Sequence, residues 1–220
     1  SGLGGDELFA GYNKFMIYHR IMKYRGLLHI QLSVRRSLGK LISTLGPAHA
    51  SGKVASLAAM EKWDFPSVYP LLRRAYGYDE IDKLLVKPNH IDRVEQRLEA
   101  LKNKISWMGD FSKCTIGEME TYTRDVLLRD TDQMSMAHAL EVRVPFFDYR
   151  LIEYLLSLPD HIKYPHTPKQ LLVEAMAPRL SKDFSQRNKM GFTLPMKHWH
   201  RNELASMAGA KIAYLTDRKE

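Results

Sequence analysis

Thr115 to Glu141, TIGEMETYTRDVLLRDTDQMSMAHALE, runs without a proline and is the longest helix candidate of the chain. Within it Asp125, Arg129, Asp132 and Met136 recur at offsets of four, seven and eleven, the spacing of one helix face. Leu127, Leu128, Thr131, Met134 and Ser135 occupy the flank beside that stripe. Spacing alone leaves two readings open. One is a solvated face in which Asp125 and Arg129 form an i,i+4 pair worth about 0.3 kcal/mol. The other is the polar wall of a nucleotide pocket.

The pattern on either side is also helical. Leu8, Phe9, Tyr12, Phe15, Met16, Ile21 and Met22 predict a helix from about Asp6 to Arg25. A second runs from Leu27 to Leu45 and stops at Gly46-Pro47. Shorter patterns cover Val54 to Lys62, Ser67 to Ala75, Glu80 to Leu85 and Ile91 to Lys104. Beyond the long candidate, helices are predicted over Tyr149 to Leu158, Lys169 to Ala177 and Asn202 to Leu215. Glu141 to Phe146 alternates briefly, but Pro145 makes it an extended connection rather than a central strand. The predicted class is all-α.

Composition narrows the chemistry. The chain has 220 residues, 45% apolar and 26% charged, which is ordinary for a globular protein. No run of about 18 apolar residues occurs, so no spanning helix is predicted. No secretory leader is visible. The single Cys114 excludes an internal disulfide framework and a cysteine-rich zinc site, and its setting is structural; a reducing cytoplasm is the expected setting. The nine histidines are scattered without a metal-binding pairing. The net charge of +8 is carried by cations spread along the chain, which favours local anion sites over a nucleic-acid track.

Two further motifs carry chemistry. Ser1-Gly2-Leu3-Gly4-Gly5-Asp6-Glu7 leads straight into the first helix. Such a turn lets backbone approach a ligand, unpaired N–H groups at a helix start attract anions, and Asp6 suits Mg²⁺. The plainer reading makes Asp6 a helix cap. Near the other end, Arg187-Asn188-Lys189-Met190-Gly191-Phe192 places two cations beside a glycine, suited to gripping phosphate or to a basic solvated turn. A chain that begins inside a glycine turn reads as a fragment.

Together and in this order, these segments resemble the glutamine-hydrolysing asparagine synthetase family. SGLGGDELFAGY (1–12) is similar to its SGxGxDExFGGY segment. MSMAHALEVRVPFFD (134–148) is similar to SMAxxxExRxPFLD, and KQLLVEAM…RNKMGFTLPMKHW (169–199) to KxLLR…RxKxGFxxPxxxW. Residues from about 15 to 115 match weakly and read as a helical expansion. The resemblance implies that the chain is the C-terminal helical part of an α/β adenine-nucleotide-hydrolase-like synthetase domain. The SGGxDS loop for ATP and an N-terminal glutaminase domain would lie outside this sequence. It implies adenylation of a small carboxylate by ATP, then displacement of AMP by ammonia from glutamine. Carried over by position, Ser1, Gly2, Gly4 and Arg187 would touch ATP, Asp6 would share Mg²⁺, and Lys189 would stabilise the transition state. Asp125 and Asp132 lie near an acidic family position, while Glu141 and Arg143 would position helices and loops. Leu3 stands where asparagine-forming members have glutamate, which opens the substrate to carboxylates other than aspartate. The chain alone is expected to be inactive, neither nucleic acid nor a membrane is expected as a partner, and a homodimer is allowed. The competing readings are a basic helical module binding nucleic acid or protein, and a non-catalytic paralogue.

Overall fold

The computed structural model describes residues 1–45, 48–84, 93–164, 167–179, 194–207 and 209–210. The chain divides into two compact units, Ser1–Pro178 and Arg179–Glu220. The described residues form helices and no strand, so the all-α expectation holds. Glu141 to Val144 is extended and leads into a 3₁₀ turn at Pro145–Phe147.

The predicted first helix is broken in two: α1, Gly5–Leu8, and α2, Asn13–Lys23. Ala10 adopts φ 51°, and the Gly11 N–H returns to the Asp6 carbonyl at 2.8 Å. That is a left-handed helix end with a six-to-one bond, usually made by glycine. Alanine there costs about 1–2 kcal/mol, which is why periodicity read straight through it.

After a 3₁₀ turn at Arg25–His29 come α3, Leu32–Leu45, and α4, Ala48–Ala59. Gly39 lets these two approach, since a Cβ there would sit 2.8 Å from the Ala58 Cβ. α5, Phe65–Arg73, is capped by Asp64, whose Oδ1 accepts the Ser67 N–H at 3.2 Å. α6, Tyr78–Leu84, and α7, Arg93–Leu101, follow.

The long candidate is one continuous rod beginning earlier than predicted. It comprises α8, Asp110–Glu118, a π-helical stretch Met119–Leu128, and α9, Arg129–Met136. The rod packs through Gly117, where a Cβ would lie 2.8 Å from Phe65 Cζ. Its start is closed by Asp160, from α11, Asp160–Lys163. The Asp160 carboxylate accepts Phe111 N–H at 2.8 Å, Ser112 N–H at 3.2 Å and Ser112 Oγ–H at 2.7 Å. Two orphan N–H groups of a helix start, and a serine hydroxyl beside them, are thereby satisfied by one distant side chain.

The main core gathers Phe15, Tyr18, Phe65, Val68, Tyr69, Leu98, Phe111 and Cys114 from α2, α5, α7 and α8. A smaller core joins Leu8, Phe9 and Leu155, with Phe146, Leu171 and Leu172 against it. It draws in α10, Tyr149–Ser157, and α12, Gln170–Met176. Cys114 is buried, and burial raises its thiol pKa well above the usual range, in keeping with a structural role. In the second unit α13, Met196–Arg201, follows Pro195.

Asp160→Ala removes three charge-assisted bonds at a helix start and is expected to cost about 2 kcal/mol. Urea unfolding followed by circular dichroism measures this; an unchanged midpoint would mean that water replaces the cap without loss.

Candidate nucleotide site at the glycine turn

Gly4 precedes α1 with φ 101°, and a Cβ there would lie 2.7 Å from the Phe146 Cβ. Only glycine meets both conditions. The turn is held from several sides. The Ser1 nitrogen donates to the Arg143 carbonyl at 2.8 Å, and the Phe9 ring meets Phe146 edge-on at 6.0 Å. The first and second motifs of the sequence are therefore neighbours.

Three of the N–H groups expected to be unpaired have partners within the turn. Leu3 N–H donates to Ser1 Oγ at 3.3 Å, Gly4 N–H to Glu7 Oε2 at 3.0 Å, and Gly5 N–H to the Gly2 carbonyl at 3.4 Å. α1 is also only four residues long, so little dipole stands behind it. Nor is Asp6 the cap, because it lies inside α1. Its Oδ1 is 3.0 Å from Lys169 Nζ, with both side chains partly open to solvent. Lys169 has φ 60° and donates its N–H to the Phe9 carbonyl at 2.9 Å. A Cβ at Gly11 would collide with the Asp6 carboxylate and with Lys169 Cε. Glycine there is what lets carboxylate and ammonium meet.

Behind the turn lies a buried ionic cluster that periodicity did not reveal. Glu7 is buried, accepts the Tyr12 hydroxyl at 2.7 Å, and offers its carbonyl to Thr115 Oγ1 at 2.9 Å. Burial, reinforced by the Glu7 carboxylate, pushes the Tyr12 pKa far up, so the hydroxyl stays protonated. Glu118, fully buried, is 2.7 Å from Lys14 Nζ and accepts the Tyr69 hydroxyl. Arg73 Nη2 is 2.9 Å from Glu118 Oε2 but outside hydrogen-bonding geometry, so that contact is Coulombic. The Arg73 guanidinium lies over the Tyr122 ring at 3.8 Å and Lys14 over Tyr12 at 4.2 Å. Desolvation lowers the Lys14 pKa to about 8, against the raising effect of Glu118.

The remaining predicted residues divide. The i,i+4 pair of Asp125 and Arg129 is absent: Asp125 contacts Arg97 at 2.8 Å and Arg124 at 3.2 Å, and Arg129 contacts Asp130 at 3.7 Å. The π-helical winding before Arg129 shifts the register on which that pair relied. Asp132 is exposed. Arg143 contacts Glu141 at 3.0 Å on the surface and serves the turn through its carbonyl. Arg187 and Lys189 lie outside the described residues. Among the described residues no group of three His, Cys, Asp or Glu forms a metal cage. Mg²⁺ commonly takes one or two carboxylates plus phosphate oxygens, so a single Asp6 fits that ion only together with a phosphate ligand.

A cleft of about 570 Å³ lies elsewhere, lined by Tyr18, His19, Phe65, Lys102 and Asp110 among others, and no residue of the glycine turn lines it. Its two acids are paired, Asp110 with His19 at 2.9 Å and Asp64 with Lys102 at 2.7 Å, and Lys23, Arg25 and Lys113 also line it. The turn, where residues of three separated motifs meet, is the better candidate.

The asparagine synthase family model matches residues 1–220. The chain belongs to the asparagine synthase family. It is 28% identical over 211 residues to asparagine synthetase [glutamine-hydrolyzing] 1 of Bacillus subtilis (strain 168), covering 93% of this chain and 32% of that protein. A putative asparagine synthetase [glutamine-hydrolyzing] of Mycobacterium tuberculosis (strain ATCC 25618 / H37Rv) is 28% identical over 216 residues, 96% of this chain and 32% of that protein. The asparagine synthetase [glutamine-hydrolyzing] of Mesocricetus auratus is 40% identical over 78 residues, 34% of this chain and 14% of that protein. The chain thus spans about a third of the length of the first two relatives. No solved structure matches it.

Lys14 gives the cluster a pH signature. Below about pH 8 folded and unfolded chains both keep its proton, and above about 10.5 neither does. Between these values only the unfolded chain holds it, so this group's contribution to stability rises with pH across the window. Calorimetric melts of the native chain and of Lys14→Met should show the native melting temperature gaining on the variant over that range. A constant difference would mean that Lys14 keeps its ordinary proton affinity.

Proposed function

We propose that this chain is the C-terminal helical part of an ATP-dependent, glutamine-hydrolysing amidotransferase. The substrate carboxylate attacks the α-phosphorus of ATP and pyrophosphate leaves, giving an acyl-adenylate. Ammonia released from glutamine then attacks the acyl carbon and AMP leaves with the electron pair, giving the amide. The supporting observation is the meeting of three separated segments at one turn: Ser1 on Arg143, Gly4 on Phe146, and Asp6 on Lys169. Family membership and the names of the relatives support the reaction class.

In this reading Asp6 holds Mg²⁺ together with phosphate oxygens, and the ion supplies charge neutralisation on the departing pyrophosphate. Lys169, now against Asp6, is freed toward phosphate oxygens once the carboxylate has another cation. Ser1, Gly2, Gly4 and Arg187 frame the nucleotide, and Lys189 stabilises charge developing at the α-phosphoryl group. Asp125 and Asp132 are assigned weaker, electrostatic roles in the same reaction. The glutaminase and the ATP loop belong to the rest of the parent protein, so the chain alone is inactive. Leu3 is half-buried and apolar, and neither moves a proton nor holds a cation. The acid is therefore aspartate or a related carboxylate, selected by groups outside the turn.

The test is ATP–pyrophosphate exchange by the full-length protein over a panel of carboxylates. One acid should support exchange, and Asp6→Asn, Lys169→Met and Lys189→Ala should each lower it by about 10²-fold or more. ATP binding should survive Lys189→Ala. Absence of exchange and of ATP binding across the panel would remove the enzymatic reading, and full exchange by a variant would remove that residue from it.

A further inference from the structure

The cations of this chain are spread along it, but its acids are not. Between Glu7 and Glu61 there is no Asp or Glu, while eight Lys and Arg residues occur. Those eight equal the whole net charge of +8, and the rest of the chain is balanced. In the fold this segment is α2, the 3₁₀ turn, α3 and α4. Lys14 is bound to Glu118, and Arg35 is buried, donating to the carbonyls of Ile30, Ala58 and Met60 at 3.0, 3.2 and 2.9 Å. Arg20, Lys23, Arg25, Arg36 and Lys40 are exposed.

The same segment exposes an apolar line. Val34, Leu38 and Leu41 follow one another by four and three residues on α3, and Leu27 and Ile30 lead up to them. These five side chains are between 40 and 58% exposed. α3 rests mainly on α4, through Arg35 and Gly39, which leaves the line uncovered. Beyond it the helix carries Ser33, Arg36, Ser37, Lys40 and Thr44, again without an acid. A contiguous exposed apolar face of this kind marks a contact.

Charge decides what the contact is with. A second copy would bring cations onto cations. An apolar line on one side of a helix whose polar side carries flexible cationic and hydroxyl side chains suits a plane of phosphates over hydrocarbon. We propose that this face docks the protein on an anionic lipid surface, with Val34, Leu38 and Leu41 at the headgroup–acyl boundary and Arg36 and Lys40 among the phosphates. The contact is peripheral, since no helix among the described residues is long and apolar enough to cross a membrane. It departs from the expectation of no membrane partner, which overlooked how the acids are distributed. It does not rest on the amidotransferase reading.

The experiment is sedimentation of the full-length protein with vesicles of phosphatidylcholine, with and without phosphatidylglycerol, at low and high salt. The native protein should pellet with the anionic vesicles, about tenfold less with phosphatidylcholine alone, and less at high salt. The triple variant Val34→Ser, Leu38→Ser, Leu41→Ser should lose the vesicles while keeping its melting temperature, because its positions are exposed. The pair Arg36→Glu, Lys40→Glu should lose them too. Failure of the native protein to pellet overturns the proposal, as does pelleting of either variant like the native protein. If another part of the parent, an acidic protein or a second copy covers the line, the native protein stays in solution. For the first and last, the serine variant then melts earlier or changes its sedimentation-equilibrium mass.

Discussion

A buried carboxylate decides where everything at the glycine turn can go. Glu7 is 1% exposed, and a charge so far from water must have its oxygens filled with donors. One oxygen takes the Gly4 N–H and so closes the turn, and the other takes the Tyr12 hydroxyl and so fixes where α2 begins. Its main-chain carbonyl takes Thr115 from the long rod. Turn, second helix and rod are thus tied to one residue. Asp6, its neighbour, meets Lys169, which arrives through a left-handed backbone and a bond to Phe9. Of these adjacent acids one is sealed and the other half-open.

Glu118 repeats the pattern deeper in the molecule. It stands where α-helical winding gives way to π-helical winding, and gathers Lys14, Tyr69 and Arg73 from two other helices. Breaking such a cluster by removing one member leaves a buried charge uncompensated, at a cost of about 3–5 kcal/mol. Tyr12 stands between the two acids, hydrogen-bonded to Glu7 and lying beneath Lys14. The turn therefore rests on a continuous polar layer rather than on apolar packing alone.

This is also where sequence stops being legible. Helical class, the limits of α10 and the end of α3 at Leu45 follow from periodicity and punctuation, because these are local properties. The order of the three motifs points to the family, whereas the meeting of their described parts at the turn is seen only in the fold. Periodicity could not show that Ala10 would turn left-handed, since its cost is met by tertiary contacts of the turn. It could not show the π-helical stretch either, which broke the expected pairing of Asp125 with Arg129 and gave Asp125 to Arg97. Lys169 opens a matched segment, but nothing in its spacing points at Asp6. Partners across the fold are invisible to a pattern that records only which face a residue is on.

The acid-free stretch from 8 to 60 runs against its own stability. Each acid placed four residues from an exposed cation on α2 or α3 would add about 0.2–0.5 kcal/mol, and none is present. Like charges on α3 must instead be offset by the close Gly39 crossing and by Arg35, which sits on the carbonyls ending α4, the favourable pole for a cation. The exposed Met134, Met136 and Leu140 differ in this respect. They stand along the chain among Asp130, Asp132 and Glu141, where charge is mixed. Two apolar faces with opposite electrostatic settings call for two different environments, and charge is what tells them apart.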